Sequence, residues 1–524
     1  MSTDGTDTSP RRGPVQPPLD DQALKVLFVI AEVAPFAKTG GLADVGASLP
    51  PALRHLGHDV RICMPKYGFL SDSQFGLRPR LEGVGVPMHD WTETAAVKEG
   101  RLDDGPSPVP IYFIENDQQF ARQGIYGYPD DGERFVFFCR AALEMLRGLR
   151  WYPDVIHCHD WHAAIVPNWL ETVYRDDPAF AAIASVYTIH NLGYQGVFGH
   201  RILEIAGIEE QGFLYPQITE LAEYVDLMAR GILFADVVNT VSETYAQEIL
   251  TPEYGEQLDP ILRDRQDRLF GVLNGLDVET LDPRSDPHLA QTFDGEHLEQ
   301  RVANKLALQR EAGLAEESHI PLVGMVSRLT DQKGFDLLAQ VIDSLLGQQV
   351  QLVILGTGDP HYHELFSRLQ QTYPDRVALF LTFNTPLAQR IYGGSDIFLM
   401  PSRYEPCGLG QMIAMRYGSV PIVRSTGGLA DTVQDWNPQR STGNGFTFAR
   451  YDHMELFAAV VRALETYRYP DTWRSLQSHG MSGDFSWRRS AQRYVELYRR
   501  ARRHAAPVPA EAADGAAAPT EAGP

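Results

Sequence analysis

Lys38, Arg328, Lys333 and Glu405 stand at loop-like positions where their charges could serve a polar ligand. Lys38 directly precedes the hexapeptide Thr-Gly-Gly-Leu-Ala-Asp, Thr39–Asp44, which returns at Thr426–Asp431 with Ser425 in the lysine's place. Each copy follows a strand-like run and opens a helix-like one. Glycines at such a turn admit a ligand close to the backbone, and the first helical N–H groups favour an anion. Arg328 and Lys333 lie in Ser327–Gly334, just after another strand-like run. Three cations and two helix starts can hold a pyrophosphate without a metal. Glu405, in Tyr404–Leu409, also follows a short strand. A carboxylate there can bind sugar hydroxyls, balance a cationic transition state, or simply stabilise a helix start.

The run His157-Cys158-His159-Asp160-Trp161-His162 resembles a metal cluster in composition only. In a strand, His157 and His159 share a face while Cys158 points away, so the ligands do not converge. Asp160 and Trp161 suit a carbohydrate better, as a carboxylate for hydroxyls and an aromatic face for a pyranose. His190 closes another strand-like run, ahead of Asn191–Gly196. Leu355–Asp359 begins like a dinucleotide fingerprint, but His361 stands where the third glycine belongs. The chain has no Walker loop and no Asp-x-Asp. Cys407 has no base beside it in sequence and is expected to be a packed thiol.

These residues require strands that end together. Apolar runs at Lys25–Glu32, Asp59–Met64, Val109–Glu115, Asp154–His159, Ser185–His190, Phe234–Thr240 and Leu269–Leu273 alternate with helical stretches. Helices are expected at Leu42–Leu56, broken or kinked at Pro50-Pro51, and at Glu133–Leu149. The plan repeats in Pro321–Ser327, Val350–Leu355, Val377–Leu381, Ile397–Met400 and Val420–Arg424, with a helix near Leu298–Ala312 and a final one over Ser486–His504. Such alternation implies parallel sheets covered on both faces, with ligands beyond the strands' carboxyl ends. Two facing sheets would make a deep cleft.

The 524 residues suit two or three domains. A formal charge of -22 argues against nucleic acid or an anionic membrane as the main partner. The four cysteines form no Cys-x-x-Cys pair, so a disulfide framework is not expected and a reducing cytoplasm is the default. No apolar run is long enough to span a bilayer, and Met1–Asp20 lacks the core of a signal peptide. By composition both ends, residues 1–22 and 505–524, are expected to be disordered.

The motifs together resemble the bacterial glycogen synthases, the family shared with plant starch synthases. The resemblance rests on Lys38–Asp44, His159–His162, Thr188–Asn191, Leu273–Gly275, Ser327–Leu329 with Lys333-Gly334, Glu405–Leu409 and Thr426–Asp431, in the family's order from about Lys25 to Arg500. It implies the GT-B arrangement of two facing Rossmann-like domains. Their expected bounds are 23–275 on the acceptor side and 276–485 on the nucleotide-sugar side, with 486–504 a helix crossing back. It implies retaining transfer of glucose from ADP-glucose to the non-reducing end of an α-1,4-glucan, without metal or cofactor.

By the same resemblance, Arg328 and Lys333 neutralise the leaving diphosphate, aided by amides near Gly41 and Gly427-Gly428-Leu429. Lys38 lies by the donor phosphates or sugar, Glu405 binds the donor glucose, and His190 lies beside the reacting ring. Asn274 and Asp44 line the cleft, Phe383 stacks on adenine, and Tyr126, Asp160 and Trp161 meet the acceptor. The chain departs from common members at Gly410, Thr382-Phe383-Asn384 and Ile413, which touches base preference rather than reaction class. A related GT-B glycosyltransferase using UDP-glucose or another acceptor, a phosphorylase needing pyridoxal phosphate, and a non-catalytic glucan binder are the alternatives. The intact Lys38, Arg328, Lys333 and Glu405 argue against the last.

Overall fold

The computed structural model describes residues 22–102, 108–208 and 224–505. The terminal segments expected to be disordered lie, apart from Gln22 and Ala505, outside the described residues. The first half of the chain contributes β1 (Lys25–Val29), β2 (Asp59–Pro65), β3 (Arg78–Pro87), β4 (Thr92–Leu102), β5 (Val109–Glu115), β6 (Val155–His159), β7 (Ala184–Ile189), β8 (Val197–Gly199), β9 (Tyr224–Asp226), β10 (Val237–Thr240) and β11 (Leu269–Gly271). β8 and β9 pair with each other; the rest form one sheet in the order β11-β10-β7-β6-β1-β2-β5-β4-β3. Its central strands β1, β6 and β7 pair in parallel and are almost wholly buried, as their continuous apolar runs require.

The second sheet is parallel throughout. It contains β12 (Leu322–Val326), β13 (Gln351–Leu355), β14 (Val377–Phe380), β15 (Ile397–Met400), β16 (Val420–Arg424) and β17 (Phe446–Phe448), in the order β14-β13-β12-β15-β16-β17. The expected strands of this half are all present, within a residue or so at each end.

Two expectations need correction. The first sheet is not purely parallel, because β3 and β4 form an antiparallel hairpin that joins β5. β3 is largely exposed, so it carries no buried apolar run to betray it. The first helix, Gly41–His55, continues unbroken through Pro50 and Pro51, where a kink or break was expected. Leu49, Pro50 and Leu53 are buried there, so core packing holds the helix on both sides of the two missing N–H donors.

The last helix, Trp487–Ala505, packs on the first sheet rather than the second. Tyr494 and Tyr498 are fully buried in the first core. The Tyr498 hydroxyl lies 2.9 Å from His157 Nδ1, and Asn239 Nδ2 donates to the Tyr494 hydroxyl at 3.2 Å. The chain thus passes between the two halves twice, and Leu276 and Ser486 form a parallel bridge where the passages meet. No helix among the described residues is long and apolar enough to cross a membrane.

Candidate active site

Loops following β1, β6, β7, β12 and β15 meet between the sheets around two adjoining cavities of about 680 and 520 Å³. Glu32, Tyr126, Asp160, Trp161, His190, Asn274, Lys333 and Glu405 line the larger chamber. Lys38, Thr382 and Phe383 line the smaller one. Asp44, Ser327 and Arg328 border both. Residues more than 300 positions apart therefore share one cleft.

The three expected cations differ in their surroundings. Lys38 Nζ is 2.5 Å from Asp44 Oδ1, in an exposed pair. Lys333 Nζ is 2.6 Å from Glu405 Oε2, which also accepts from the Ser402 hydroxyl at 3.1 Å. This pair is largely withdrawn from water, with side chains 15% and 8% exposed. Arg328 alone of the three has no carboxylate partner among the described residues; its guanidinium donates to the Tyr194 hydroxyl at 3.3 Å. The junction between the chambers thus offers an unneutralised guanidinium.

The wall from the first sheet is built around Asp160. Its backbone is left-handed, with φ 55°, which is unusual for a side chain with a Cβ. This turn brings Oδ1 to 2.8 Å from the His190 N–H, tying the end of β6 to that of β7. Burial raises the Asp160 carboxyl to about 7, against the pull of that hydrogen bond. Burial likewise pushes His190 down to about 3, so its imidazole is neutral near pH 7. His190 Nε2 lies 3.0 Å from His159 Nδ1. Trp161 packs against Phe135 and His162, while Tyr126 stacks on His162 and donates to Glu32 Oε1 at 2.7 Å. Asn274 Oδ1 is buried without a hydrogen-bond partner among the described residues, in a side chain that faces the larger chamber. Phe383 is 80% exposed at the edge of the smaller chamber, an uncovered aromatic face.

The twin hexapeptides differ in their surroundings, and only the first borders the cleft. In the first, Glu32 already accepts from the Thr39 and Gly40 N–H groups and from the Thr39 hydroxyl. Gly41 still lines the larger chamber. In the second, the Gly427 N–H donates to Glu248 and the Gly428 N–H to the Glu405 carbonyl. Gly427, Gly428 and Leu429 are buried and border neither chamber. In the second hexapeptide the protein's own acceptors therefore engage the Gly427 and Gly428 N–H groups. The turn Cys407–Gly410, with Gly408 at φ 71°, lines the larger chamber instead.

Glu32 and Tyr194 were not among the expected site residues, and the Cys407–Gly410 turn was expected only as part of the Glu405 motif. Glu32 had one available signal, an acidic residue at the end of a buried strand. Cys407 is indeed a packed thiol, its ionisation pushed up to about 12 by burial. His157 Nδ1 lies 2.9 Å from the Tyr498 hydroxyl and its Nε2 2.6 Å from the Thr188 hydroxyl.

Comparison with known proteins agrees with this architecture. A starch synthase catalytic domain model matches residues 25–264, and a group 1 glycosyl transferase model matches 310–475. The glycogen synthase of Moorella thermoacetica is 49% identical over 482 residues, covering 92% of this chain and 97% of the relative. The chain belongs to the glycogen and starch synthase family. The Thermotoga maritima glycogen synthase is 46% identical over 483 residues, covering 91% of this chain and 99% of that one. Among solved structures, the catalytic domain of Arabidopsis thaliana starch synthase IV, bound to ADP and acarbose, superposes with a TM-score of 0.85 at 37% identity, covering 92% of this chain and 100% of that one. The two facing sheets are therefore a GT-B fold, and the cleft belongs to a glycosyltransferase of glycogen synthase type.

Proposed function

We propose that this family member transfers glucose from ADP-glucose to the non-reducing end of an α-1,4-glucan, with retention and without a metal or cofactor. The observation that carries the proposal is Arg328, a guanidinium without a carboxylate partner among the described residues, at the junction of two chambers. A sugar nucleotide has its diphosphate between base and sugar. With the base against Phe383 and the sugar among His190, Asn274 and Glu405, the diphosphate falls at Arg328. The relative bound to ADP and acarbose supports the same assignment. Four buried, unpaired cysteines fit a reducing cytoplasm.

Transfer begins as the bond from the anomeric carbon to the diphosphate oxygen breaks and its electron pair leaves with the phosphate. Arg328 and Lys333 stabilise that growing charge most in the transition state. Glu405 binds donor hydroxyls through a carboxylate oriented by Lys333 and Ser402. Neutral His190 can hydrogen-bond the ring without adding positive charge beside an oxocarbenium-like sugar. The acceptor hydroxyl attacks the same face, and its proton passes to the departing phosphate oxygen. Intact-protein mass spectrometry during turnover should show no glucosyl adduct. A trapped adduct on Glu405 or Asp160 contradicts this route.

A further inference from the structure

The second Thr-Gly-Gly-Leu-Ala-Asp loop does not line the cleft, yet Thr426–Leu429 are buried and the loop is heavily bonded, with Asp431 at its exposed end. Its partners come from the other half of the molecule. The helix Glu243–Glu248 follows β10 of the first sheet, and the helix Gly427–Thr432 follows β16 of the second. Asp431, near the end of the second helix, accepts from the Glu243 N–H at 2.7 Å, the Thr244 N–H at 3.1 Å and the Thr244 hydroxyl at 2.5 Å. Glu248, at the end of the first helix, accepts from the Thr426 hydroxyl at 2.9 Å and the Gly427 N–H at 3.0 Å. Each helix carries at its far end the carboxylate that satisfies the start of the other. Such charge-assisted bonds to backbone donors are the stronger kind of hydrogen bond.

The same loop touches the reaction centre from behind. The Gly428 N–H donates to the Glu405 carbonyl at 3.1 Å. A Cβ on Gly427 would lie 2.0 Å from the Glu405 carbonyl oxygen, and one on Gly428 1.9 Å from the Cys407 carbonyl oxygen. Gly427 also has φ 44°. The glycines therefore serve close backbone packing against the turn that carries Glu405, not the approach of a ligand.

We infer that Glu248 and Asp431 form a clasp between the two lobes and are positioning residues for the transfer reaction, acting through Thr426–Gly428 on the Glu405 turn. The clasp fixes one lobe against the other at the depth where Glu405 and Lys333 face His190 and Asp160. It rests on the proposed reaction only for its kinetic consequence; the contact between lobes stands apart from the identity of the donor.

The test uses the full-length protein with Glu248→Gln, Asp431→Asn, Thr426→Val and Thr426→Ser. Glu248→Gln, Asp431→Asn and Thr426→Val should lower kcat with ADP-glucose and glycogen at least tenfold, while ADP affinity by calorimetry stays within threefold of the parent. Thr426→Ser keeps the hydroxyl and should retain most of the turnover. Small-angle X-ray scattering should show a larger radius of gyration for the three impaired proteins than for the parent. Unchanged scattering, or kcat within twofold of the parent for both Glu248→Gln and Thr426→Val, overturns the clasp. A parent inactive with ADP-glucose would defeat the donor assignment instead, and scattering would still decide the clasp.

Discussion

Lys333 and Asp160 carry the sharpest single-residue expectations. Lys333 both faces the proposed diphosphate and neutralises the nearly buried Glu405 at 2.6 Å. Lys333→Ala should lower kcat by roughly 10²–10³-fold, with a smaller change in ADP affinity, because its charge acts most on the transition state. Near-normal turnover rejects that role. Asp160 makes a pH prediction. Burial raises its carboxyl from the ordinary 3.8 to about 7, so the folded protein binds this proton more tightly than the unfolded chain. Its contribution to stability is full below about pH 3.8 and is lost as pH rises through about 7. For catalysis the sign is opposite, since ionised Asp160 adds negative charge near a cationic sugar. The pH profile of kcat should rise through about 7, and Asp160→Asn should lose that limb. His190, pushed down to about 3, should contribute no limb between pH 5 and 9. An unchanged profile in Asp160→Asn contradicts the assignment.

The elements place these residues through close approaches between loops. Gly334, which ends the Lys333 turn, has φ 74°, and a Cβ there would lie 2.0 Å from the Pro401 carbonyl oxygen. Gly334→Ala should therefore cost about 1–3 kcal/mol of stability, measured by urea unfolding, and reduce turnover. Gly41 has nothing within 4 Å of its would-be Cβ. Gly41→Ala should unfold at nearly the parent's denaturant midpoint yet raise the KM for the sugar nucleotide. A stable Gly334→Ala, or a Gly41→Ala indistinguishable from the parent in both respects, contradicts this division. The strands leading into Arg328, Glu405 and His190 were legible because central parallel strands are continuous apolar runs. The β3–β4 hairpin was not, because its first strand is mostly exposed. Nor could the different duties of the two hexapeptides be read locally. Their sequences are identical, and Glu248 reaches Gly427 from 179 positions away. Glycine spacing marked a tight turn in both cases; only the fold shows which acceptor fills it.

At the scale of the whole molecule, two sheets of different strand order face one another, joined by two passages of chain and covered on one side by a helix that returns to the first core. This arrangement brings strand ends from both halves to one cleft, which neither sheet could build alone. The cleft's two chambers meet at Arg328, where the proposed sugar nucleotide would place its diphosphate. The net charge of -22 makes that local guanidinium more telling, because the surrounding protein does not favour anions in general. The most direct test is nucleotide release from ADP-glucose or UDP-glucose, with glycogen as acceptor, each with and without EDTA. The account predicts ADP release with ADP-glucose, faster than UDP release from UDP-glucose and unchanged by the chelator. Faster turnover of UDP-glucose, no ADP release, or loss of activity with EDTA would contradict it.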